Sequence, residues 1–232
     1  MNNTRMSEPI TRTTKSIRGR TSSLLTKDRV EMLSDGLFAI VMTILMFDIK
    51  VPLSFFPLSD SSLYYSLQSL WPLFSGYVVS FLVLSMFWMS HHVLFHAVSK
   101  NVNRQLITLN MFFLMFVALI PFSTHLLGVY HEYKTAVLVY GLNVIIIGTM
   151  LLSMFWYALY SREIKNGRLA EHTIRRIKIR IMLPPLFAAL AILASYYSLS
   201  ISLFLFAFPI MFNVIPGSLT FFERIFQNPI SS

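Results

Sequence analysis

Residues 29–53, RVEMLSDGLFAIVMTILMFDIKVPL, are the most informative stretch of this chain. An apolar segment of this length is long enough to cross a membrane as a helix. Of its three acids, Glu31, Asp35 and Asp48, Asp35 lies about one turn inside its N-terminal end. A carboxylate in hydrocarbon is costly, so an ionisable residue at this position is a candidate functional group.

The body of the same segment carries an apolar stripe. With about 100° between successive residues of a helix, Ile40, Ile44 and Phe47 fall on one face. Thr43 lies beside them, and Gly36 lies one turn before Ile40. Such a stripe can face a core, lipid or a symmetric contact. The hydroxyl and the small residue favour a close, partly hydrated contact, since lipid requires neither.

Composition assigns the chain to the membrane proteins. Of its 232 residues, 55% are hydrophobic and 12% charged, whereas a soluble domain has about 25% charged residues. There is no cysteine, which excludes disulfides and thiolate metal sites. The net charge of +9 lies at membrane edges and does not form a basic face, so we expect no nucleic-acid partner.

Apolar windows predict an all-α polytopic fold with six transmembrane helices. All but two of the 19 lysines and arginines fall on one side of these spans, the exceptions being Lys50 and Lys134. Short cytoplasmic loops carry the excess of positive charge, so both termini are predicted to be cytoplasmic. Pro121 should kink or break the third span. The predicted spans are residues 31–53, 64–95, 104–128, 134–161, 177–197 and 199–216.

Three regions follow from this reading. Residues 1–28 are predicted to be a disordered basic cytoplasmic tail, residues 29–216 the six-helix transmembrane domain, and residues 217–232 a cytoplasmic C-terminal tail. The junction of the last two spans, around residues 195–202, lacks Gly, Pro and charge, so either one long hairpin or a tight turn has to be assumed there.

Asp35 needs polar partners in its own half of the membrane. With spans one and three running outward and span two inward, the candidates are Trp88, His91 and His92 in the second span and Asn110 in the third. A network joining three helices is the simplest arrangement, because each isolated buried group would otherwise lose its hydrogen bonds. Its role could be structural or could be direct control of gating.

Two further clusters carry weaker signals. His91, His92 and His96 resemble one histidine box, but a metal centre needs at least three ligands within reach and the other histidines lie elsewhere, so we expect no metal.

Asp48 at the outer end of the first span could form a cation-attracting ring in a symmetric assembly. It could equally be an end-of-helix charge neutralised by Lys50. No nucleophile motif, phosphate loop or carboxylate pair indicates an enzyme.

The segment RVEMLSDGLFAIVMTILMFDIKVP resembles the signature that opens the prokaryotic branch of the transmembrane protein 175 potassium channels: Arg, then Phe-Ser-Asp-Gly, Ala-Ile and Thr. FWMSHHVLFHAVSKNVNRQL and NMFFLMFVALIPFSTHLLG agree with the same family. The resemblance covers residues 29–128. Leu33 departs from it, since the family has Phe there.

The resemblance implies a homotetrameric, potassium-preferring cation channel in a prokaryotic plasma membrane, with the first helix lining a pore that lacks a TVGYG filter. Its partners would be membrane lipid and permeant monovalent cations such as K⁺, without a cofactor. The matching residues are Ile40 for the narrowest hydrophobic ring, Ile44 and Phe47 for its extension, Thr43 for cation preference, and Arg29, Ser34, Asp35, Trp88, His91 and Asn110 for an interhelical network.

Two alternatives stay open. Titratable groups within spans are typical of proton pathways, so Asp35 and His91 could serve a proton-conducting or proton-coupled transporter. The basic tail and the loop at residues 162–180 could instead make the chain a scaffold that docks on anionic headgroups. Ion flux through purified protein separates the scaffold from both transport functions.

Overall fold

The structure is a computed structural model that describes residues 26–50, 59–161, 163–164 and 170–214. Both predicted tails lie outside these residues, except that Lys27 and Asp28 already belong to the first helix. The regular structure of the described residues is helical, as predicted. The helices are α1 (Lys27–Ile44, continued by a 3₁₀ turn at Leu45–Asp48), α2 (Asp60–Ser69), α3 (Trp71–Val93, continued by a π-helical turn at Leu94–Val98), α4 (Arg104–Val117), α5 (Ile120–Val129), α6 (Lys134–Tyr160), α7 (Glu171–Ala194) and α8 (Leu199–Val214).

Five helical segments of the described chain are long and apolar enough to cross a membrane. They are Lys27–Asp48, Trp71–Val98, Arg104–Val129, Lys134–Tyr160 and Glu171–Ala194, and a shorter apolar helix follows at Leu199–Ile210. Each corresponds to one predicted span. The multi-pass helical class is therefore confirmed, while the sixth crossing and the side of each terminus stay predictions.

Two prolines divide predicted spans. Pro121 is the second residue of α5, and α4 ends at Val117, so the predicted break in the third span is confirmed. Pro72 has the same place in α3 and separates it from α2, a break that the sequence reading did not anticipate. Proline lacks the amide hydrogen that would bond to the preceding turn, and its ring clashes with that turn's carbonyl.

The turn between α7 and α8 is tight, which is one of the two arrangements left open by the sequence. The amide of Ser195 bonds to the carbonyl of Ala191, and the amide of Tyr197 bonds to that of Ala194. Helices α6, α7 and α8 pack consecutively, and α6 also packs on α4 and α5. Helix α1 packs mainly on α3 and α4, so it lies at the edge of the helix bundle.

Helix α1 has one strongly buried face. Its buried residues are Val30, Ser34, Phe38, Val41 and Leu45, spaced by three or four positions as one side of a helix requires. Phe38 packs against the ring of Phe113 on α4 at a centroid distance of 5.9 Å. This face fixes which side of α1 is left uncovered.

Candidate functional site

The uncovered side of α1 carries the apolar residues singled out from the sequence. We call Gly36, Ile40, Thr43, Ile44 and Phe47 the α1 stripe. The exposed fractions are 59% for Ile40, 40% for Ile44 and 72% for Phe47. A Cβ added at Gly36 would meet no heavy atom within 4 Å. By helical geometry the stripe lies opposite the buried face, so it is left uncovered by the described residues.

Thr43 directs its hydroxyl hydrogen into its own helix. Its Oγ1 donates to the carbonyls of Ile40 at 2.8 Å and Ala39 at 3.1 Å. A hydroxyl oxygen that donates its one hydrogen keeps its lone pairs as acceptors. On this exposed face, the Thr43 oxygen can therefore coordinate water or a cation.

A buried hydrogen-bonded chain joins α1, α4 and α3. Ser34 Oγ donates to the carbonyl of Val30 at 2.8 Å and accepts from Asn110 Nδ2 at 3.0 Å. Asn110 Oδ1 lies 2.9 Å from His91 Nε2. An amide oxygen only accepts, so Nε2 carries the hydrogen of this bond. We call Ser34, Asn110 and His91 the three-helix chain, and all three are buried.

Asp35 and Trp88 form a second, separate pair. Trp88 Nε1 donates to Asp35 Oδ1 at 2.9 Å, and both residues are exposed in the subunit. They line a cavity of about 440 Å³ between α1 and α3. Asp35 therefore has a partner among those predicted, but none of the bonds in the described chain connects it to His91.

Two other residues named as candidates for the network, Arg29 and His92, lie on the same helices, α1 and α3. Arg29 is in the first turn of α1. The exposed ring of His92 stacks on Trp88 and on His96, with centroid distances of 6.0 and 5.7 Å. Within the described ranges, no group of three or more His, Asp or Glu residues is placed to hold a metal ion.

Asp48 has a partner on another helix. Its Oδ1 lies 3.4 Å from His125 Nδ1 on α5, a contact that is an ion pair when the histidine is protonated. Neutralisation of Asp48 by Lys50 stays a prediction. The contact joins the C-terminal end of α1 to a helix more than seventy residues away.

The sequence reading missed a second buried chain. Thr124 Oγ1 donates to Ser80 Oγ at 2.8 Å, and Ser80 Oγ donates to Tyr140 OH at 3.0 Å. These bonds join α5, α3 and α6. Isolated hydroxyls in apolar spans were the available signal. Such groups often bond to their own helix, however, so their partners could not be chosen from sequence.

Comparisons with known proteins give a consistent result. The family profile described as endosomal/lysosomal potassium channel TMEM175 matches residues 29–121. A potassium channel of Streptomyces collinus is 34% identical, over 75% of this chain and 85% of that protein. The crystal structure of a lysosomal potassium-selective channel TMEM175 homologue from Chamaesiphon minutus superimposes with a TM-score of 0.69 at 27% identity, covering 80% of this chain and 95% of that one. The endosomal/lysosomal proton channel TMEM175 of Gallus gallus is 30% identical, over 67% of this chain but 32% of its own length.

Proposed function

This chain belongs to the TMEM175 family, and from that premise we propose that it is a potassium-preferring cation channel whose pore is lined by the α1 stripe in a homotetramer. The observation that carries the proposal is the division of α1 into two faces. One face is held by the core and the three-helix chain, and the other is apolar, exposed and interrupted by a hydroxyl. A multi-pass protein of this kind acts in a membrane, which for a prokaryote is the plasma membrane.

A symmetric assembly is what turns the stripe into a pore. One subunit contributes one helix face and cannot enclose a path by itself. Copies related by a rotation axis bring the same face together and close into a ring. The number four rests on the resemblance to the prokaryotic branch of the family.

Ile40 would then form the narrowest ring, which Ile44 and Phe47 extend toward the outer end. Methyl groups cannot replace the water around a cation, so such a ring closes by excluding water and opens by widening. The Thr43 oxygen supplies the acceptors for cation preference. One layer of hydroxyl oxygens offers a cation fewer coordinating oxygens than stacked carbonyl rings do. We therefore expect modest selectivity for K⁺ over Na⁺.

Asp48 completes the proposed pathway at its outer mouth. A ring of carboxylates at a pore entrance concentrates cations there. The contact with His125 holds the carboxylate at the end of α1.

Ile40→Asn tests the pore assignment. A polar amide in the narrowest ring lets water remain there, so we expect a clearly larger single-channel conductance in reconstituted planar bilayers. Ile201→Asn on α8 is the matched control, because the residue type is the same and the exposed fraction, 54%, is close to the 59% of Ile40. Unchanged currents from Ile40→Asn, or an equal increase from Ile201→Asn, would contradict the assignment.

The proton channel name of the Gallus gallus relative keeps proton conduction as the second candidate. A relay through Asp35 and His91 needs a connection between them, whereas in the described chain they belong to different hydrogen-bonded groups. Asp35→Asn preserves the bond from Trp88 and removes the charge. We expect currents of this variant that still reverse near the potassium equilibrium potential. Loss of its current, together with a reversal that follows the pH gradient in the unmodified protein, would favour the relay.

A further inference from the structure

We propose that the groove between α3 and the first turns of α7 is a binding site for the phosphate of an anionic phospholipid. The groove encloses a cavity of about 270 Å³. It contains neither the α1 stripe nor the Asp35–Trp88 pair. Met89 of α3 lines both this cavity and the one beside Asp35 and Trp88.

The cavity presents cationic donors without an acid. Arg176 and Arg180 of α7 line it, together with the hydroxyl residues Ser90 and Thr173, and none of the described lining residues is acidic. The arginines are four positions apart, so they project from the same side of the helix. Their fork of N–H groups matches the oxygens of a phosphate.

Arg180 has an unsatisfied donor. Its Nε is buried and has no hydrogen-bond partner among the described residues. A buried donor without an acceptor is costly, and nearly all such donors in native proteins are paired. The missing acceptor lies outside the described residues, and an anion bound in the groove would supply it.

The position of the groove favours lipid over a soluble anion. The charge distribution predicts that α7 starts on the cytoplasmic side, and Lys178 lies 5.3 Å above the ring of Trp156 on α6. Tyr160 stacks on Trp156 and is exposed. Exposed aromatic rings of this kind mark the headgroup level of a membrane. Basic pockets between helices at that level suit anionic headgroups.

The rest of the lining is apolar. Met89 and Val93 of α3 and Ile177 of α7 complete the wall. An acyl chain can lie along such a wall while the phosphate meets the arginines. A bound lipid would hold α3 against α7, and α3 carries Trp88 and His91, which hydrogen-bond to α1 and α4 respectively.

Lipid binding to the purified full-length protein tests the proposal. We expect phosphatidylglycerol to bind in native mass spectrometry, with Arg176→Gln/Arg180→Gln weakening it by about thirtyfold, given roughly 1 kcal/mol for each basic residue. Arg175→Gln is the matched control, since it removes the same charge from the same helix but does not line the cavity. We expect its affinity to stay within about twofold of the unmodified protein.

Three results would overturn the site. They are equal binding of phosphatidylcholine, an equal loss in Arg175→Gln, and complete displacement of the lipid by millimolar inorganic phosphate, which would identify a soluble anion as the ligand. A photoactivatable phosphatidylglycerol on the unmodified protein makes the test independent of variant folding. Adducts at the end of α3 and the start of α7 support the site, and adducts confined to other helices refute it.

Discussion

At the scale of single residues, Asn110 is the centre of the three-helix chain because its amide both donates to Ser34 and accepts from His91. Asn110→Leu removes both bonds and leaves the buried Nε2–H of His91 without an acceptor, while Ser34 Oγ keeps its bond to the carbonyl of Val30. We expect the unfolding free energy to fall by about 1–3 kcal/mol for the unpaired donor, seen as a lower melting temperature in detergent. Trp88→Phe, which deletes one exposed bond, should lower it far less. Equal melting temperatures for the two variants would mean that the three-helix chain contributes little to stability.

The sequence identified the polar residues of this region but not the hydrogen bonds that join them. Ser34, Asp35, Trp88, His91 and Asn110 were all placed in one membrane half, which follows from span direction and charge. Their division into a buried chain and an exposed pair depends on helix rotation about its axis. Rotation is set by packing, as in the contact of Phe38 with Phe113, and no residue pattern specifies it.

At the scale of helices, α6 and α7 lie close together at Gly141 and Gly148. A Cβ at Gly148 would lie 2.6 Å from Pro185 Cγ, and a proline ring cannot move aside as a flexible side chain can. Gly148→Ala should therefore force the helices apart and cost about 1–3 kcal/mol, as overpacking does. The measurement is the fraction of monodisperse protein after heating in detergent.

Gly76→Ala is the control for that prediction. Gly76 is also buried in a long helix, but its added Cβ would lie 3.9 Å from Thr124, an ordinary contact distance. Alanine is the better helix former by about 1 kcal/mol, so this variant should be at least as stable as the original protein. If both alanines were equally harmful, the close approach of α6 to Pro185 would not be the cause.

Hydropathy did not predict the start of α7 or the boundary between α2 and α3. The fifth span was predicted to start at residue 177, but α7 begins at Glu171, because its first turns are helical while carrying charge. Hydropathy windows detect only the apolar part of such a helix. Similarly, α2 and α3 read as one apolar window, and only the backbone chemistry of Pro72 separates them.

At the scale of the whole molecule, the sequence could not distinguish lipid contact from subunit contact. Isoleucine and phenylalanine satisfy both environments, since lipid chains are as apolar as the side chains. The subunit structure narrows the question, because the α1 stripe has no cover within the described residues. What covers it is a property of the assembly, and a direct measurement of proximity decides it.

Disulfide cross-linking measures this proximity directly. The chain has no cysteine, so a single introduced thiol can pair only with its copy in another subunit. Phe47→Cys should give disulfide-linked dimers on a non-reducing gel after mild oxidation, because residues facing a narrow pore come within the roughly 7 Å that a disulfide spans between Cα atoms. Phe204→Cys on α8 is the matched control, with 62% exposure against 72% for Phe47. If the α8 variant formed dimers as readily, or the α1 variant formed none, α1 would not lie at a rotation axis.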